Sequence, residues 1–206
     1  PGEKIRISGG GRCNFTNLYT APENFLSANR HFAKSALRRY TQHDFIEMVG
    51  VHGIDWHEKT LGQLFCDGSA KQIVAMLVNG LAQAGGTLRL NCAVRGIAQT
   101  DRFEVTTDQG VMCARTLVIA TGGKSIPKMG ATGFGYDIAR RFGLPLTETR
   151  PALVPLTFGD ADREAFGAMA GLSVDAGVTA KDARFREGLL FTHRGLSGPS
   201  ILQVSS

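Results

Sequence analysis

Apolar residues recur at helical spacing in three stretches of the first 86 residues. The clearest stretch follows Ser69, a suitable N-cap, and stops at Gly85-Gly86. Its apolar face consists of Ile73, Val74, Leu77 and Leu81. This spacing predicts an amphipathic helix packed against a core.

A second helical stretch begins at Thr41. Thr41 with Asp44 resembles a capping box, and Gly50 or Gly53 would end the helix. Just before it, residues 27–40 place four apolar side chains on one helical face, which predicts a further helix.

Alternation of apolar and polar residues predicts strands elsewhere. Residues 4–8 alternate and then meet three glycines, which predicts a short strand entering a loop. Residues 88–114 alternate around a turn at Asp108-Gln109-Gly110, which predicts a small antiparallel meander that begins with a strand at 88–94. Shorter extended segments are predicted at 54–66, 172–180 and 187–192.

The run Leu117–Ala120 is continuously apolar, as in a strand buried on both faces of a parallel sheet. It ends at Thr121-Gly122-Gly123, and ligands of open α/β sheets bind at the carboxyl ends of strands. A tight strand exit without a ligand is the alternative. A glycine-rich segment then leads into a helix that contains Ile138.

Clustered prolines at 145, 151 and 155 predict a domain boundary near residue 150, between units 1–150 and 151–206. The chain begins with Pro1, and a last helix starting near Pro199 has hardly begun at Ser206. We therefore expect an internal piece of a longer protein.

Composition indicates a globular protein without a membrane span. Of 206 residues, 43% are hydrophobic and 20% charged, and no apolar stretch reaches about 18 residues. Glycine is abundant, at 26 residues, and occurs in tight runs, which indicates sharp turns or close approach to a ligand.

The net charge is 23 − 18 = +5, but the basic residues are scattered rather than gathered in a stripe. This scatter argues against a nucleic-acid partner and favours ordinary solvated charge. The four cysteines have no metal-ligand or CxxC spacing, so we expect no metal site and a reducing, cytoplasmic location.

Residues 8–17 form the glycine-rich loop SGGGRCNFTN. Three glycines let successive N–H groups converge on an anion, and Arg12 can hold a phosphate with two hydrogen bonds. Asn14, Thr16 and Asn17 add short donors. An ordinary surface loop is the alternative.

Three strings together resemble one family. They are KIRISGGGRCNFTN, TLVIATGGKSIPKMGATGFGYDIARRFGL and LLFTHRGLSGPSILQ. They are similar, in order and along essentially the whole chain, to the BaiN-like bacterial family of NAD(P)/FAD-dependent oxidoreductases, which includes aminoacetone oxidases and bile-acid dehydro-steroid reductases.

The resemblance implies an α/β fold: an FAD-binding, doubly wound three-layer domain with a β-meander, followed by the start of an inserted β-rich domain. Residues 1–150 would be the central part of the FAD domain, without its N-terminal G-x-G-x-x-G unit. Residues 151–206 would begin the insert.

The resemblance also implies FAD as cofactor, a small-molecule substrate, and NAD(P)H or dioxygen as redox partner. His193 would approach the substrate side of the flavin. Val94 would contact adenine through its backbone. The residues along the flavin and its pyrophosphate would be Gly10, Gly11, Arg12, Cys13, Asn14, Asn17, Thr121, Gly122 and Gly123.

Two of these residues have open roles. No second cysteine lies within 50 residues of Cys13, which argues against a dithiol mechanism and favours a small buried neighbour of the flavin. His193 suits a general acid, because histidine exchanges protons near neutral pH, but a structural histidine is equally compatible. The other four histidines, at 31, 43, 52 and 57, fit surface positions.

The sequence thus predicts a flavin-dependent oxidoreductase. One alternative is an FAD-fold module that binds nucleotide or RNA without redox turnover. Another is a truncated piece that folds poorly alone, because strands lost from a sheet leave exposed edges.

Overall fold

The computed structural model describes residues 1–206 and divides into two units, Pro1–Leu146 and Thr147–Ser206. The helices of the first unit are α1 (Glu3–Ile7), α2 (Lys34–Arg39), α3 (Gln42–Val51), α4 (Ala70–Gln83) and α5 (Phe134–Arg141). Its strands are β1 (Asn14–Asn17), β2 (Trp56–Glu58), β3 (Gln63–Cys66), β4 (Val94–Gln99), β5 (Phe103–Thr107) and β6 (Gly110–Ala114).

The second unit is a four-stranded antiparallel sheet with two helices. Its elements are β7 (Leu156–Thr157), α6 (Asp160–Phe166), β8 (Ser173–Ala180), β9 (Ala183–Thr192), β10 (Gly195–Ser197) and α7 (Pro199–Val204). The strands lie in the order β7-β10-β9-β8, and α7 packs on β9. Strands at 172–180 and 187–192 and a helix from Pro199 are thereby confirmed, although β9 begins four residues earlier than predicted.

The two predicted helix caps are confirmed. The Ser69 hydroxyl accepts a hydrogen bond from the Lys71 amide, and the Gln72 side chain accepts one from the Ser69 amide. At the start of α3 the Thr41 hydroxyl accepts a hydrogen bond from the Asp44 amide, and the Asp44 carboxylate accepts one from the Thr41 amide. Each cap satisfies amides that the first helical turn leaves without a partner.

The core of the first unit lies where α3 and α4 meet the sheet β1-β3-β2. Val49 of α3, Cys66 of β3 and Ile73 of α4 are almost fully buried there. The meander β4-β5-β6 forms a separate antiparallel sheet, closed by the predicted turn at residues 108–110.

The predicted strand at residues 4–8 is wrong, because these residues form α1 and the turn that follows it. No neighbouring strand pairs with them, whereas a helix satisfies its backbone from within. The bond from the Arg6 amide to the Gly2 carbonyl and the ion pair of Arg6 with Glu3 support that helix.

Residues 88–93 also form no ladder, so the first strand of the meander begins at Val94 instead of Leu88. Side chains replace the missing backbone bonds: Gln109 donates to the carbonyls of Leu90 and Asn91, and Asp108 accepts from the Ala93 amide. The predicted helix at 27–40 is likewise shorter, since only Lys34–Arg39 is helical.

The predicted buried strand at residues 117–120 is wrong, because these residues pair with no strand and Val118 is 84% exposed. A strand of a parallel sheet needs a neighbouring strand to hydrogen-bond with and layers that cover both of its faces, and all three sheets of the structure are formed by other segments.

The mixed α/β class and the meander are confirmed, with every strand pair antiparallel. None of the helices has both the length and the apolar character needed to cross a lipid bilayer.

Candidate functional site

A cavity of the first unit lies between residues 117–123 and α5, and its volume is about 740 Å³. Its walls are apolar side chains and glycine backbone. They are formed by Phe103, Leu117, Ile119, Thr121, Gly122, Gly123, Gly135, Tyr136, Ile138, Ala139, Phe142, Leu144 and Leu146. Three predicted cofactor residues, Thr121, Gly122 and Gly123, therefore line one concave site.

A Cβ at the glycines of this site would crowd a neighbouring hydroxyl or enter the open space. A Cβ at Gly123 would lie 2.9 Å from the Tyr136 hydroxyl, and one at Gly135 would lie 3.1 Å from the Thr121 hydroxyl. Gly122 has φ +73°, a left-handed conformation that glycine adopts without strain, and nothing lies within 4 Å of the position of its absent Cβ. A flat ligand could thus contact the backbone here directly.

The triple-glycine loop follows α1 as a tight turn. Gly9, Gly10 and Gly11 all have positive φ angles, and the Cys13 amide donates to the Ser8 carbonyl to close the turn. Gly10 is exposed, with nothing within 4 Å of its absent Cβ. This backbone is open to an approaching group from outside.

Arg12 is exposed, and its guanidinium forms neither a hydrogen bond nor an ion pair within the chain. Its backbone carbonyl accepts a bond from the Cys66 amide, which fixes the loop to β3. The loop is therefore anchored by its main chain while its charged side chain stays available.

The two asparagines of the loop differ. Asn14 is exposed at the start of β1. Asn17 donates to the Leu61 carbonyl and accepts from the Tyr19 amide, so both ends of its amide hold neighbouring loops. Gly62 makes this possible, since a Cβ there would lie 2.8 Å from the Asn17 oxygen and 2.6 Å from the Tyr19 ring.

Cys13 is buried in the core of the first unit, together with Cys66. Cys66 lies more than 50 positions from Cys13 along the chain, but β3 brings its thiol into the same core. Both thiols are free. Burial raises the pKa of the Cys66 thiol above its ordinary value, and the nearby Cys13 raises it further.

The last two predicted residues lie elsewhere. Val94 starts β4 and pairs with Thr107 in the meander. His193 is exposed in the turn between β9 and β10 of the second unit, where the Thr192 hydroxyl orders the turn by accepting from the Arg194 and Gly195 amides.

Lys4 is a residue that the sequence analysis did not single out. Its ammonium group donates to the carbonyl oxygen of Ser125 at 2.8 Å and to the Ser125 hydroxyl at 3.3 Å. It thereby joins α1, which leads into the triple-glycine loop, to the segment that follows Gly123. The sequence pattern gives no sign of this bond, because nothing in it distinguishes Lys4 from the other exposed lysines.

Three curated proteins are similar to the whole chain. Two are named ribosomal RNA dihydrouridine synthase: the Escherichia coli K12 protein is 53% identical over 208 residues, and the Haemophilus influenzae protein is 46% identical over 211. The 3-dehydro-bile acid delta(4,6)-reductase of Clostridium scindens is 27% identical over 212 residues. The alignments cover 99–100% of this chain but only 51–52% of the relatives, so the chain spans about half their length.

The names of two relatives differ from one expectation for this chain. The scatter of basic residues argued against a nucleic-acid partner, yet two relatives have the name of an enzyme that modifies ribosomal RNA. The expected link to bile-acid reductases is present only at 27% identity. The model of the HI0933-like protein Rossmann domain matches residues 1–197, and the chain belongs to that family.

Proposed function

We propose that this chain is part of a flavin-dependent enzyme that reduces uridine in ribosomal RNA to dihydrouridine. The observation that supports this most strongly is the glycine-lined cavity, about 740 Å³ in volume, in a Rossmann-family chain. The two relatives with that printed name, at 53% and 46% identity, supply the substrate class.

FAD is the cofactor that the residues fit. The cavity lies within the usual range of ligand sites, about 300–1,000 Å³. Gly122 and Gly123 leave room for a flat ring, while Gly10, Gly11 and Arg12 would offer amides and a cation to the pyrophosphate. Cys13, Asn14, Asn17, Thr121 and Val94 remain the further residues proposed to border the cofactor. Bound flavin supplies the hydride chemistry that amino-acid side chains lack.

The reaction must balance two electrons and two protons. Uridine, NAD(P)H and a proton give dihydrouridine and NAD(P)⁺, as the 5,6 double bond of uracil accepts a hydride at one carbon and a proton at the other. The proton needs a donor at the base, and His193 is our candidate for that acid.

A small organic substrate is the second candidate. The relative named as a bile-acid reductase and the apolar walls of the cavity favour it. We propose NAD(P)H as electron donor in either case. The four free cysteines agree with a cytoplasmic enzyme.

The test uses the complete protein, purified and examined for a flavin absorption band. It is incubated with NAD(P)H and ribosomal RNA from a strain that lacks the gene, and the digested nucleosides are measured by mass spectrometry. We expect a flavin band, bleaching by NAD(P)H, and dihydrouridine that appears only with active protein.

A 3-dehydro-bile acid serves as the competing substrate in a parallel reaction. Turnover of that steroid with no dihydrouridine in the RNA would favour the second candidate. A colourless protein that binds no added FAD would reject both.

A further inference from the structure

The first unit contains a basic segment, residues 24–43, between Glu23 and Asp44. It has four Arg or Lys residues and no Asp or Glu, a net charge of +4, whereas the whole chain has 23 − 18 = +5. The four are Arg30, Lys34, Arg38 and Arg39. The segment thus has nearly the net charge of the whole chain, because it contains cations and no carboxylates.

The four cations have no acidic partners within the chain. Arg6, Arg140, Arg163 and Arg186 each pair with a nearby carboxylate, but none of the four in the basic segment does. All four are exposed. Their positive potential is therefore not neutralised locally, and their charges are not needed to hold the fold.

Helix α2 sets the orientation of part of this charge. Leu37 is half-buried and borders a cleft with Phe25 and Phe45, so this side of the helix faces the protein. Lys34 and Arg38, one turn apart, lie together on its exposed surface.

Large aromatic side chains lie exposed among these cations. Phe32 is 78% exposed, Tyr40 52% and Phe25 45%. Phe25 borders three clefts, one of which, about 370 Å³ in volume, is also lined by Arg30 and Lys34. Glu23 is the single acidic residue at that cleft.

Exposed aromatic rings between unpaired cations match the chemistry of single-stranded RNA, whose bases stack on rings while its phosphates bind cations. We propose that residues 24–43 form the surface that holds the RNA substrate in a looped or single-stranded region. This proposal rests on the proposed function, because it takes RNA as the substrate.

The experiment measures binding of the complete, flavin-loaded protein to deproteinised ribosomal RNA and to a uridine-rich single strand over a series of KCl concentrations. The variants are R30Q/K34Q and R38Q/R39Q. The matched control is K181Q/R184Q, which removes two exposed charges near the turn between β8 and β9. Circular dichroism and the flavin band monitor the fold.

The logarithm of the association constant falls linearly with the logarithm of the salt concentration, and each phosphate contact with a single strand contributes about 0.7 to the steepness of that line. Each double variant removes two cations and should therefore make the line less steep by about 1.4. Phe32→Ser should weaken binding about tenfold with an unchanged slope, because stacking involves no counterion release. Val51→Ser, at an equally exposed apolar position, and the control pair should bind like wild type.

One contrary outcome is that the basic-segment variants bind RNA with wild-type affinity and salt dependence while the wild-type protein forms dihydrouridine. That result would overturn the assignment of this surface and leave the proposed function standing. Absence of salt-dependent RNA binding in the wild-type protein would overturn both. Tighter binding to anionic phospholipid vesicles than to RNA, lost in the same variants, would overturn the assignment of RNA.

Discussion

The ammonium group of Lys4 donates to the carbonyl oxygen of Ser125 at 2.8 Å, across 121 positions of the chain. This bond joins the helix before the triple-glycine loop to the segment after Gly122-Gly123. It is a direct link between the helix and the segment that flank the two glycine runs, which we propose to border one cofactor.

Lys4→Met should therefore speed the loss of flavin from the complete protein several-fold. A hydrogen bond that involves a charged group contributes about 1.5–3 kcal/mol, and exposure of Lys4 favours the low end. The flavin dissociation rate, measured by fluorescence, checks this. Lys71→Met, which removes an exposed lysine without such a bond, should match wild type; equal rates in both variants would remove the role of Lys4.

Arg12→Ala should weaken FAD binding by roughly tenfold or more, because a charge-assisted contact with phosphate contributes about 1.5–3 kcal/mol. Titration of the apoprotein with FAD gives the dissociation constant. Arg102→Ala, at the turn between β4 and β5, is the control. An unchanged constant in Arg12→Ala would place the pyrophosphate elsewhere.

Two glycine substitutions should have opposite effects on stability. Gly123→Ala puts a Cβ 2.9 Å from the Tyr136 hydroxyl, so we expect a loss of about 1 kcal/mol in the free energy of unfolding, and weaker FAD binding. Gly80→Ala, inside α4 with nothing within 4 Å of the new Cβ, should add about 0.5–1 kcal/mol. Urea unfolding measures both.

Capping chemistry and turn residues were predictable from sequence because they act within four or five positions. Ser69 and Thr41 cap their helices as expected, and residues 108–110 form their turn. Residues 4–8 were not predictable in this way, since two isoleucines in alternation fit a strand or a short helix. Tertiary contact decides, and α1 packs on α4.

The candidate site was predictable only in part for the same reason. Glycines at 122 and 123 indicated a ligand edge, but the Lys4–Ser125 bond and the approach of Cys66 to Cys13 depend on chain segments far apart in sequence. The basic segment could not be recognised from the spacing of its cations, because they are no denser there than in some other parts of the chain. Its high net positive charge comes from the absence of Asp and Glu among them.

The Cys66 thiol predicts a loss of stability at alkaline pH. Burial raises its pKa in the folded state, so above the ordinary thiol pKa of about 8.5 the unfolded chain releases a proton that the folded chain keeps. The contribution is fully present below that pH and is lost as pH rises through the folded pKa.

Urea unfolding of wild type and Cys66→Ala at pH 7.5 and pH 10 tests this sign. The variant should be less stable at both values, because it loses buried contacts, but its decline between them should be smaller. Cys113→Ala, at an exposed thiol, should decline like wild type. An equal decline in wild type and Cys66→Ala would contradict the prediction.

The missing side chain at Gly62 has a consequence for how this protein tolerates change. The Tyr19 ring occupies the volume that a larger residue at position 62 would need. The hydrogen bonds of Asn17 to Leu61 and Tyr19 therefore depend on the absence of a Cβ at Gly62. Randomised libraries of residues 59–63 should return glycine at position 62 almost without exception, while their other exposed positions accept many replacements.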